Sequence, residues 1–315
     1  MRIVLLDRIT FADAIVFPTA RLAAHWQEHA HTGADEIMLH AAEADVLITN
    51  KCKLSGAVLE QLPHLKLIAA AATGVDHIDI DSARRRGIGV CNVRDYARHS
   101  VPEHVFAALL AVRRSLLSYA NAVRDGRWQQ SHVFCLHDRP IDDLAGTTLG
   151  IIGGGTLGQG VAKLAAAFGM QVLFAERRGV SPRPGYTAFE RVLAESDVVS
   201  LHVPLTPETR HLIGADELAH MRPTAILVNA ARGGIVDEDA LLDALRSGRL
   251  AGAAVDVLTT EPPPANHPLL VADLPNLIVT PHIAWASRQA QQCLADAVIE
   301  NIAAFMRGER RNRVV

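Results

Sequence analysis

Short apolar runs rich in β-branched residues alternate with segments of helical spacing along the first hundred residues. The runs are RIVLLD at 2–7, DVLITN at 45–50, LKLIAAAA at 65–72 and GVCNV at 89–93. Runs of this length are typical of strands buried on both faces, and the segments between them are long enough for helices. The pattern predicts a parallel sheet built from βαβ units.

The same alternation resumes after residue 147 with further apolar runs, each followed by turn residues or by a helical pattern. The runs are TLGIIG, QVLFAE, VVSLHVP, AILVNAA, LAGAAVDV and NLIVT. They predict a second parallel sheet. The fold class expected is therefore α/β with two doubly wound parallel-sheet domains, which suits 315 residues at roughly 150 residues per domain.

The segments between and after the two sets of strands predict two helices and one irregular stretch. Residues 101–124 place apolar side chains at steps of three and four, which predicts one long helix with a broad apolar face. Residues 125–147 have little periodicity and include Trp128 and Phe134, so they either embrace a second subunit or form a surface loop. A final helix is predicted over about 287–308, folding back onto the first domain.

Three glycines mark the turn between the first strand of the second sheet and the helix that follows. Gly153 permits the tight bend, Gly155 lets the backbone approach a pyrophosphate, and Gly158 lets the helix pack closely on the sheet. Amides at the start of that helix face bound phosphates. No lysine and hydroxyl pair follows Gly160, which excludes an ATP-binding P-loop. The turn predicts a dinucleotide site.

A carboxylate follows the next strand, where the ribose of a dinucleotide is expected. Glu176 comes 18 residues after Gly158 and is placed to accept hydrogen bonds from both ribose hydroxyls. Arg177 and Arg178 follow it directly. The carboxylate repels the 2′-phosphate of NADP, whereas guanidinium groups can hold one. We expect NAD as the cofactor, with NADP as the competitor.

Three further strand ends bring polar side chains to the edge where open parallel sheets bind ligands. Arg232 precedes two glycines and is able to grip a carboxylate with two parallel bonds, unless it is only a solvated loop residue. Asp256 ends an apolar strand, where it either bonds a nicotinamide carboxamide or caps a nearby turn. Glu261 precedes three prolines and is able to orient a histidine. His282 emerges just past the last strand.

The remaining histidines and the cysteines predict no metal site. His25, His29 and His31 have a loose metal-like spacing, but no accompanying ligand set distinguishes them from the polar face of a helix. The four cysteines lie far apart and form no C-x-x-C pair, so we expect neither a zinc ribbon nor a dithiol motif. A reducing, cytoplasmic location follows.

Charge and hydropathy limit the classes of molecule that the protein is expected to bind. A net charge of -3 offers no basic field for nucleic acid or for an anionic membrane. The opening apolar run meets Asp7, which makes it too short for a signal peptide. No uncharged apolar stretch reaches the ~18 residues that a membrane span needs. We therefore expect a small neutral or anionic substrate, no nucleic acid and no membrane.

The motifs GGGTLG, NAARGG, VDVLTTEPPP and TPHIAWAS resemble the D-2-hydroxyacid dehydrogenase family, and the similarity covers essentially the whole chain. ATGVDHIDI at 72–80 and VPEHVFAALLAVRRSL at 101–116 also match that family. GRWQQSHVFC and PHIAWAS are similar to its glycerate dehydrogenase, or hydroxypyruvate reductase, branch.

The resemblance implies a set of site residues. It assigns catalysis to Arg232, Glu261 and His282, and substrate contacts to Arg232 and the loop Thr73-Gly74-Val75-Asp76. Formate dehydrogenases of the same superfamily have glutamine where Glu261 stands, which argues against formate as the substrate. The cofactor contacts expected from the resemblance and the glycine turn together are Gly153, Gly155, Thr156, Leu157, Gly158, Glu176, Arg177, Thr206, Ala230 and Asp256.

The resemblance also implies a domain arrangement and a reaction. A flavodoxin-like substrate domain over 1–100 and 284–315, which lacks a glycine turn after its opening strand, is expected to carry an inserted Rossmann cofactor domain over 101–283. The reaction is hydride transfer between the nicotinamide and the alpha carbon of a small 2-oxo or D-2-hydroxy acid, with hydroxypyruvate and glyoxylate favoured. Arg232 would polarise the carbonyl and His282 would protonate its oxygen.

Two other functions are compatible with these motifs. An NAD-sensing, corepressor-like binding protein would share the architecture, and turnover of hydroxypyruvate distinguishes the two. Phosphoglycerate dehydrogenase is the nearest competitor among enzymes, although the sequence ends about where the last helix does and leaves no room for an added regulatory domain. A homodimer is expected. Lys51, Tyr96 and Trp285 either shape the substrate pocket or serve in packing.

Overall fold

The computed structural model describes all 315 residues, which divide into two compact units. Unit 1 is Met1–Ala97 with Ala286–Val315, and unit 2 is Arg98–Trp285. The strands are β1 (Arg2–Leu5), β2 (His25–Glu28), β3 (Val46–Thr49), β4 (Leu67–Ala70), β5 (Gly89–Cys91), β6 (Thr148–Ile152), β7 (Gln171–Ala175), β8 (Val198–Leu201), β9 (Ile226–Asn229), β10 (Gly252–Val255) and β11 (Leu277–Val279). The helices are α1 (Ile37–Ala41), α2 (Gly56–Glu60), α3 (Ile80–Arg85), α4 (Ser100–Arg113), α5 (Leu116–Arg124), α6 (Thr156–Ala167), α7 (Phe189–Glu195), α8 (Ala215–His220), α9 (Glu238–Arg246), α10 (Pro268–Val271) and α11 (Arg288–Met306). None of these helices is both long enough and apolar enough to cross a membrane.

Unit 1 holds a five-stranded parallel sheet in the order β2-β1-β3-β4-β5, the strand order of flavodoxin-like folds. Strands β3 and β4 are buried along their whole length because both faces of the sheet are covered. The hydroxyl of Ser287 caps helix α11 by accepting a hydrogen bond from the Ala290 amide, and the helix packs on β4. This helix therefore belongs to unit 1. Beside β5, the amide of Val314 donates to the Val90 carbonyl.

Unit 2 holds a six-stranded parallel sheet in the order β11-β10-β9-β8-β6-β7. All six predicted strands are present, and β8, β9 and β10 are buried throughout. The winding of the chain reverses between β6 and β8, and in open parallel sheets such a reversal creates a ligand crevice at the carboxyl ends of the strands. The predicted fold class, two doubly wound parallel sheets, is confirmed.

The prediction of a polar helix face around His25 was wrong. His25 begins β2, an edge strand that pairs with β1 alone, and its side chains are mostly exposed, so no apolar alternation marked it as a strand. His29 follows the strand, and its ring stacks on His40 with centroids 3.6 Å apart. Desolvation, together with the nearby His40, lowers the pKa of His29. No three histidine, cysteine or acidic side chains gather as a metal site.

The prediction of one helix over 101–124 was also wrong, because the helix is interrupted. Helix α4 ends at Arg113, and α5 begins after Ser115, whose φ of 49° is left-handed. Apolar spacing continues across such a residue, so periodicity does not reveal the break. The Ser115 hydroxyl donates to the Pro140 carbonyl at 2.8 Å and so fixes the irregular segment that follows α5.

Candidate active site

The glycine turn of unit 2 leaves open space at the start of α6. Gly153 has a φ of 108°, and a Cβ there would lie 2.3 Å from the His202 carbonyl oxygen. A Cβ at Gly158 would lie 2.1 Å from the Gly153 oxygen, whereas a Cβ at Gly155 would meet nothing within 4 Å. The turn is thus tightly packed at Gly153 and Gly158. It is open at Gly155, next to the first-turn amides of Thr156 and Leu157. This shape fits the pyrophosphate of a dinucleotide.

Glu176, directly after β7, has a carboxylate that the protein itself positions. Its Oε1 accepts a hydrogen bond from the Arg177 amide at 3.0 Å, and its Oε2 lies 3.4 Å from Nε of Arg183. The Arg177 amide in particular holds the pKa of Glu176 below its ordinary value, so this carboxylate is charged. The Arg183 guanidinium stacks on the ring of Tyr186, 3.8 Å from its centroid. A negative charge is therefore fixed at the expected ribose position.

The two arginines beside Glu176 do not form a phosphate site of their own. Arg177 contributes its backbone amide to Glu176, and its side chain is exposed. Arg178 pairs with Glu217 at 2.8 Å. The charge that a 2′-phosphate would meet first is the carboxylate of Glu176, which favours NAD.

Asp256 braces the turn that carries His282. The carboxylate is buried and accepts hydrogen bonds from the Thr280 hydroxyl at 2.6 Å and from the amides of Ile283 and Ala284 at 2.9 and 2.8 Å. Of the two roles considered for Asp256, the structure shows the capping of a nearby turn. Its backbone carbonyl also accepts the His282 amide at 2.8 Å.

The His282 side chain is hydrogen-bonded to Glu261. Nδ1 of His282 lies 2.7 Å from Oε2 of Glu261, and the other oxygen of Glu261 accepts the Leu258 amide at 2.9 Å. The imidazole is 20% and the carboxylate 34% exposed, so both retain access to solvent. His282 has a φ of 55°, which the bonds from its amide stabilise. A carboxylate bonded to Nδ1 fixes the tautomer and the orientation of the ring.

Arg232 lies in the turn after β9, and this turn packs on the turn that leads to Glu261. Asn229 fixes it by donating from Nδ2 to the Arg232 carbonyl at 3.0 Å. Nη1 of Arg232 donates to the Ala231 carbonyl at 2.7 Å, which orients the guanidinium. A Cβ on Gly233 would lie 2.0 Å from the Leu258 carbonyl, so only glycine permits this approach. Because β9, β10 and β11 are neighbours, their three turns share one edge of the sheet.

The remaining predicted cofactor residues lie on the same edge of unit 2. Ala230 follows β9 and lines a small cavity together with Asp256 and Thr280. Thr206 lies after β8, where its amide donates to the Thr209 hydroxyl at 2.7 Å. The structure therefore brings the predicted residues of unit 2 to the carboxyl ends of β6 to β11.

The predicted substrate residues of unit 1 follow β4. The Thr73 hydroxyl donates to the Val93 carbonyl at 2.7 Å, and Nδ2 of Asn92 donates to the Thr73 carbonyl at 2.7 Å. The amides of Gly74 and Val75 make no hydrogen bond within the protein. A pair of adjacent amide donors suits a carboxylate ligand.

Sequence reasoning missed a polar chain behind the His282 turn. His104 on α4 places Nε2 3.1 Å from the Thr280 hydroxyl, which itself donates to Asp256. The available signal was a polar side chain between Val101 and Val105, inside the apolar stripe of a predicted helix. Such a residue needs a partner when it is buried.

Comparison with known proteins places the chain in a family. Residues 106–284 match the NAD binding domain of the D-isomer specific 2-hydroxyacid dehydrogenases. Glycerate dehydrogenase of Methylorubrum extorquens is 50% identical over 280 residues, covering 89% of this chain and 88% of that protein. Hydroxypyruvate reductase of Blautia hydrogenotrophica is 34% identical, covering 90% and 88%.

A solved structure with the same fold supports this family assignment. D-lactate dehydrogenase from Aquifex aeolicus, complexed with NAD and lactic acid, matches with a TM-score of 0.83 and 30% identity, covering 97% of this chain and 96% of that one. The chain belongs to the D-isomer specific 2-hydroxyacid dehydrogenase family and is an NAD-dependent oxidoreductase.

Proposed function

We propose that the chain reduces hydroxypyruvate or glyoxylate with NADH, forming D-glycerate or glycolate. The observation that carries this proposal is the 2.7 Å hydrogen bond between His282 and Glu261, on the strand edge that also presents Arg232. The names of the relatives from Methylorubrum extorquens and Blautia hydrogenotrophica support the choice of 2-oxo acid.

His282 is the acid and base of this reaction. Because Nδ1–H donates to Glu261, Nε2 is the ring nitrogen that exchanges a proton with the substrate oxygen. In reduction, protonated His282 gives this proton to the oxygen of the 2-oxo group and becomes neutral. In oxidation, the neutral imidazole takes the proton of the 2-hydroxyl group. The carboxylate of Glu261 offsets the positive charge of the imidazolium.

Arg232 binds and polarises the substrate. Its guanidinium has a fixed orientation through the bond to the Ala231 carbonyl and carries several parallel N–H donors. Charge on the carbonyl oxygen grows as the alpha carbon is reduced, and a cation held in place stabilises it without reorganisation. The carboxylate of the substrate is bound by the amides of Gly74 and Val75 in unit 1.

The glycine turn and the strand ends of unit 2 hold the dinucleotide. Gly155, Thr156 and Leu157 at the start of α6 would hold the pyrophosphate, and Glu176 would accept hydrogen bonds from the ribose hydroxyls. The strand ends that carry Thr206, Ala230 and Asp256 would face the nicotinamide. Bound NADH supplies the hydride that the alpha carbon receives. NADH is preferred to NADPH because the carboxylate of Glu176 repels a 2′-phosphate.

A substrate panel tests the proposal. Steady-state reduction of hydroxypyruvate, glyoxylate, pyruvate, a branched 2-oxo acid and phosphohydroxypyruvate is measured with NADH and with NADPH. We expect the highest kcat/KM for hydroxypyruvate or glyoxylate with NADH. A higher value for the phosphorylated acid identifies a phosphoglycerate dehydrogenase. NADH binding without turnover of any acid contradicts the proposal and indicates an NAD-sensing protein.

We also infer that two copies of the chain associate through α5 and the segment after it. This stretch exposes several large apolar side chains, and Phe134 alone is 90% exposed. Apolar clusters on a surface mark interaction sites, and a second copy offers the same cluster about a two-fold axis. Light scattering should give a dimer mass, which Phe134→Ser lowers toward the monomer. Leu39→Ser on α1 of unit 1 is the matched control; equal loss in both variants, or a monomeric parent, contradicts the inference.

The cysteines support a cytoplasmic location. All four are free thiols, and burial raises the pKa of Cys52 to about 11 and that of Cys91 to about 12. Free thiols persist in a reducing compartment. Cell fractionation tests this placement, and recovery of the chain outside the cytoplasm contradicts it.

A further inference from the structure

Three asparagines of unit 1 form a continuous hydrogen-bonded chain that ends at the loop after β4. Nδ2 of Asn312 donates to Oδ1 of Asn301 at 3.0 Å, and Nδ2 of Asn301 donates to the Asn92 carbonyl at 2.9 Å. Nδ2 of Asn92 then donates to the Thr73 carbonyl at 2.7 Å. The side chains of Asn301 and Asn92 are buried, where an amide N–H without a partner is costly, so the bonds donated by their Nδ2 atoms are strongly specified.

The hydrogen bond from Asn92 to the Thr73 carbonyl also affects the N–H of Gly74, because both groups belong to the same peptide. The carbonyl of Thr73 and the N–H of Gly74 belong to one planar trans peptide, and its C=O and N–H point in opposite directions. When Asn92 holds the oxygen, the plane of the peptide is fixed, and the Gly74 N–H points away from Asn92. This N–H makes no hydrogen bond within the protein.

The same bond strengthens the amide as a donor. A carbonyl that accepts a hydrogen bond draws electron density from its own peptide group, which makes the attached N–H a better donor. The Thr73 hydroxyl, which donates to the Val93 carbonyl, holds the residue from its other side. The loop is therefore oriented before any ligand arrives, and a ligand carboxylate does not have to order it.

We propose that Asn92 is a positioning residue that aims the Gly74 amide at the substrate carboxylate, and that Asn301 and Asn312 hold Asn92 in place. This inference rests on the proposed role of the Gly74 and Val75 amides in carboxylate binding. It extends the carboxylate site to side chains that do not touch the substrate, and it gives helix α11 and the residues after it a role in substrate binding.

The backbone of Asn92 shows how it is held. Its amide donates to the Asn312 carbonyl at 3.1 Å, and its carbonyl accepts from Asn301, so both backbone groups are used. Asn312 adopts a φ of 49°, a conformation that asparagine tolerates better than most residues. Residues from α11 and from the segment after it thus hold the backbone of Asn92, directly after β5.

The test compares KM for the 2-oxo acid with the dissociation constant of NADH. Asn92→Ala removes the donor to the Thr73 carbonyl, and we expect KM for glyoxylate and for hydroxypyruvate to rise by the same factor, about tenfold, because both share the carboxylate. Fluorescence titration should show NADH binding unchanged within about twofold. Asn301→Asp keeps the acceptor for Asn312 and loses the donor to Asn92, so a smaller rise, about threefold, is expected.

Controls separate positioning from general damage. Asn276→Ala removes a similar amide, which donates to the Ala251 carbonyl in unit 2, and should leave KM for both acids unchanged. If Asn92→Ala does not fold, Asn92→Asp keeps the shape, loses the donor, and should raise KM at least as much. The inference fails if KM for the acid does not change, or if NADH binding weakens by the same factor. A parent enzyme that turns over no 2-oxo acid instead refutes the proposed function.

Discussion

The imidazole of His282 donates from Nδ1 to the carboxylate of Glu261 across 2.7 Å. Each of the two residues is also held by a second hydrogen bond. The Leu258 amide holds the second oxygen of Glu261, and the Asp256 carbonyl accepts the His282 amide. The pair is therefore oriented in advance of substrate binding, as proton transfer in a transition state requires.

Replacing His282 by alanine should abolish most turnover and leave the cofactor site intact. We expect kcat to fall by about a thousandfold, because general acid catalysis contributes on that order. NADH affinity, measured by fluorescence titration, should change by less than about twofold. His220→Ala, an exposed histidine on α8, is the matched control. Equal losses of turnover and NADH binding would show that His282 is structural.

Replacing Glu261 by glutamine should lower kcat for reduction by about a hundredfold, because the neutral amide no longer offsets the charge of the imidazolium in the transition state. Steady-state kcat at saturating 2-oxo acid measures the loss. Glu190→Gln, on the exposed face of α7, should leave kcat unchanged. An unchanged kcat in Glu261→Gln contradicts the pairing.

Replacing Glu176 by serine should raise activity with NADPH relative to NADH. The change removes the charge that repels a 2′-phosphate and leaves Arg183 without its carboxylate, so the guanidinium is able to bind the phosphate. We expect the ratio of kcat/KM values to shift toward NADPH by about tenfold or more. A ratio that stays constant would place cofactor discrimination elsewhere in the chain.

His202 should make unit 2 less stable in acid. Its ring follows β8 and contacts the Ser200 hydroxyl at 2.8 Å, and burial lowers its pKa from 6.5 to about 4. The neutral ring is favoured by folding, so the stability is complete above pH 6.5 and is lost as the pH falls toward 4. A shift of this size corresponds to at most about 3 kcal/mol.

Urea unfolding at a series of pH values measures this loss. His202→Gln keeps a polar partner for Ser200 and has no titrating ring, so its free energy of unfolding should depend less on pH between 6.5 and 4 than that of the parent. Parallel pH curves for the two proteins would show that another group is responsible.

The strand ends of unit 2 could be predicted because their signals are local. A parallel strand buried on both faces leaves a continuous apolar run, and the polar residue directly after it must lie at the carboxyl edge. Arg232, Glu261 and His282, which follow β9, β10 and β11 within a few residues, were placed at this edge in this way, and the family resemblance supplied their catalytic roles. The position of Glu176 followed from the fixed length of a βαβ unit.

The remaining features depend on contacts between residues far apart in sequence. Strand β2 is polar because it lies at an edge, and only its pairing with β1 identifies it. The partner of Asn92 is Asn301, 209 positions away, and no local pattern connects two buried amides. The break before α5 depends on the φ of one residue, Ser115, which apolar spacing does not report.

The division of the chain has a consequence for how the protein forms during synthesis. Unit 2 is one contiguous stretch and contains every strand of its own sheet, so it can fold while it emerges from the ribosome. Unit 1 cannot complete its core until α11 has been made, about two hundred residues after β4. In the nascent chain, the apolar strands β3 and β4 therefore stay exposed while the whole inserted unit is translated. We expect the nascent chain to need a chaperone during this interval.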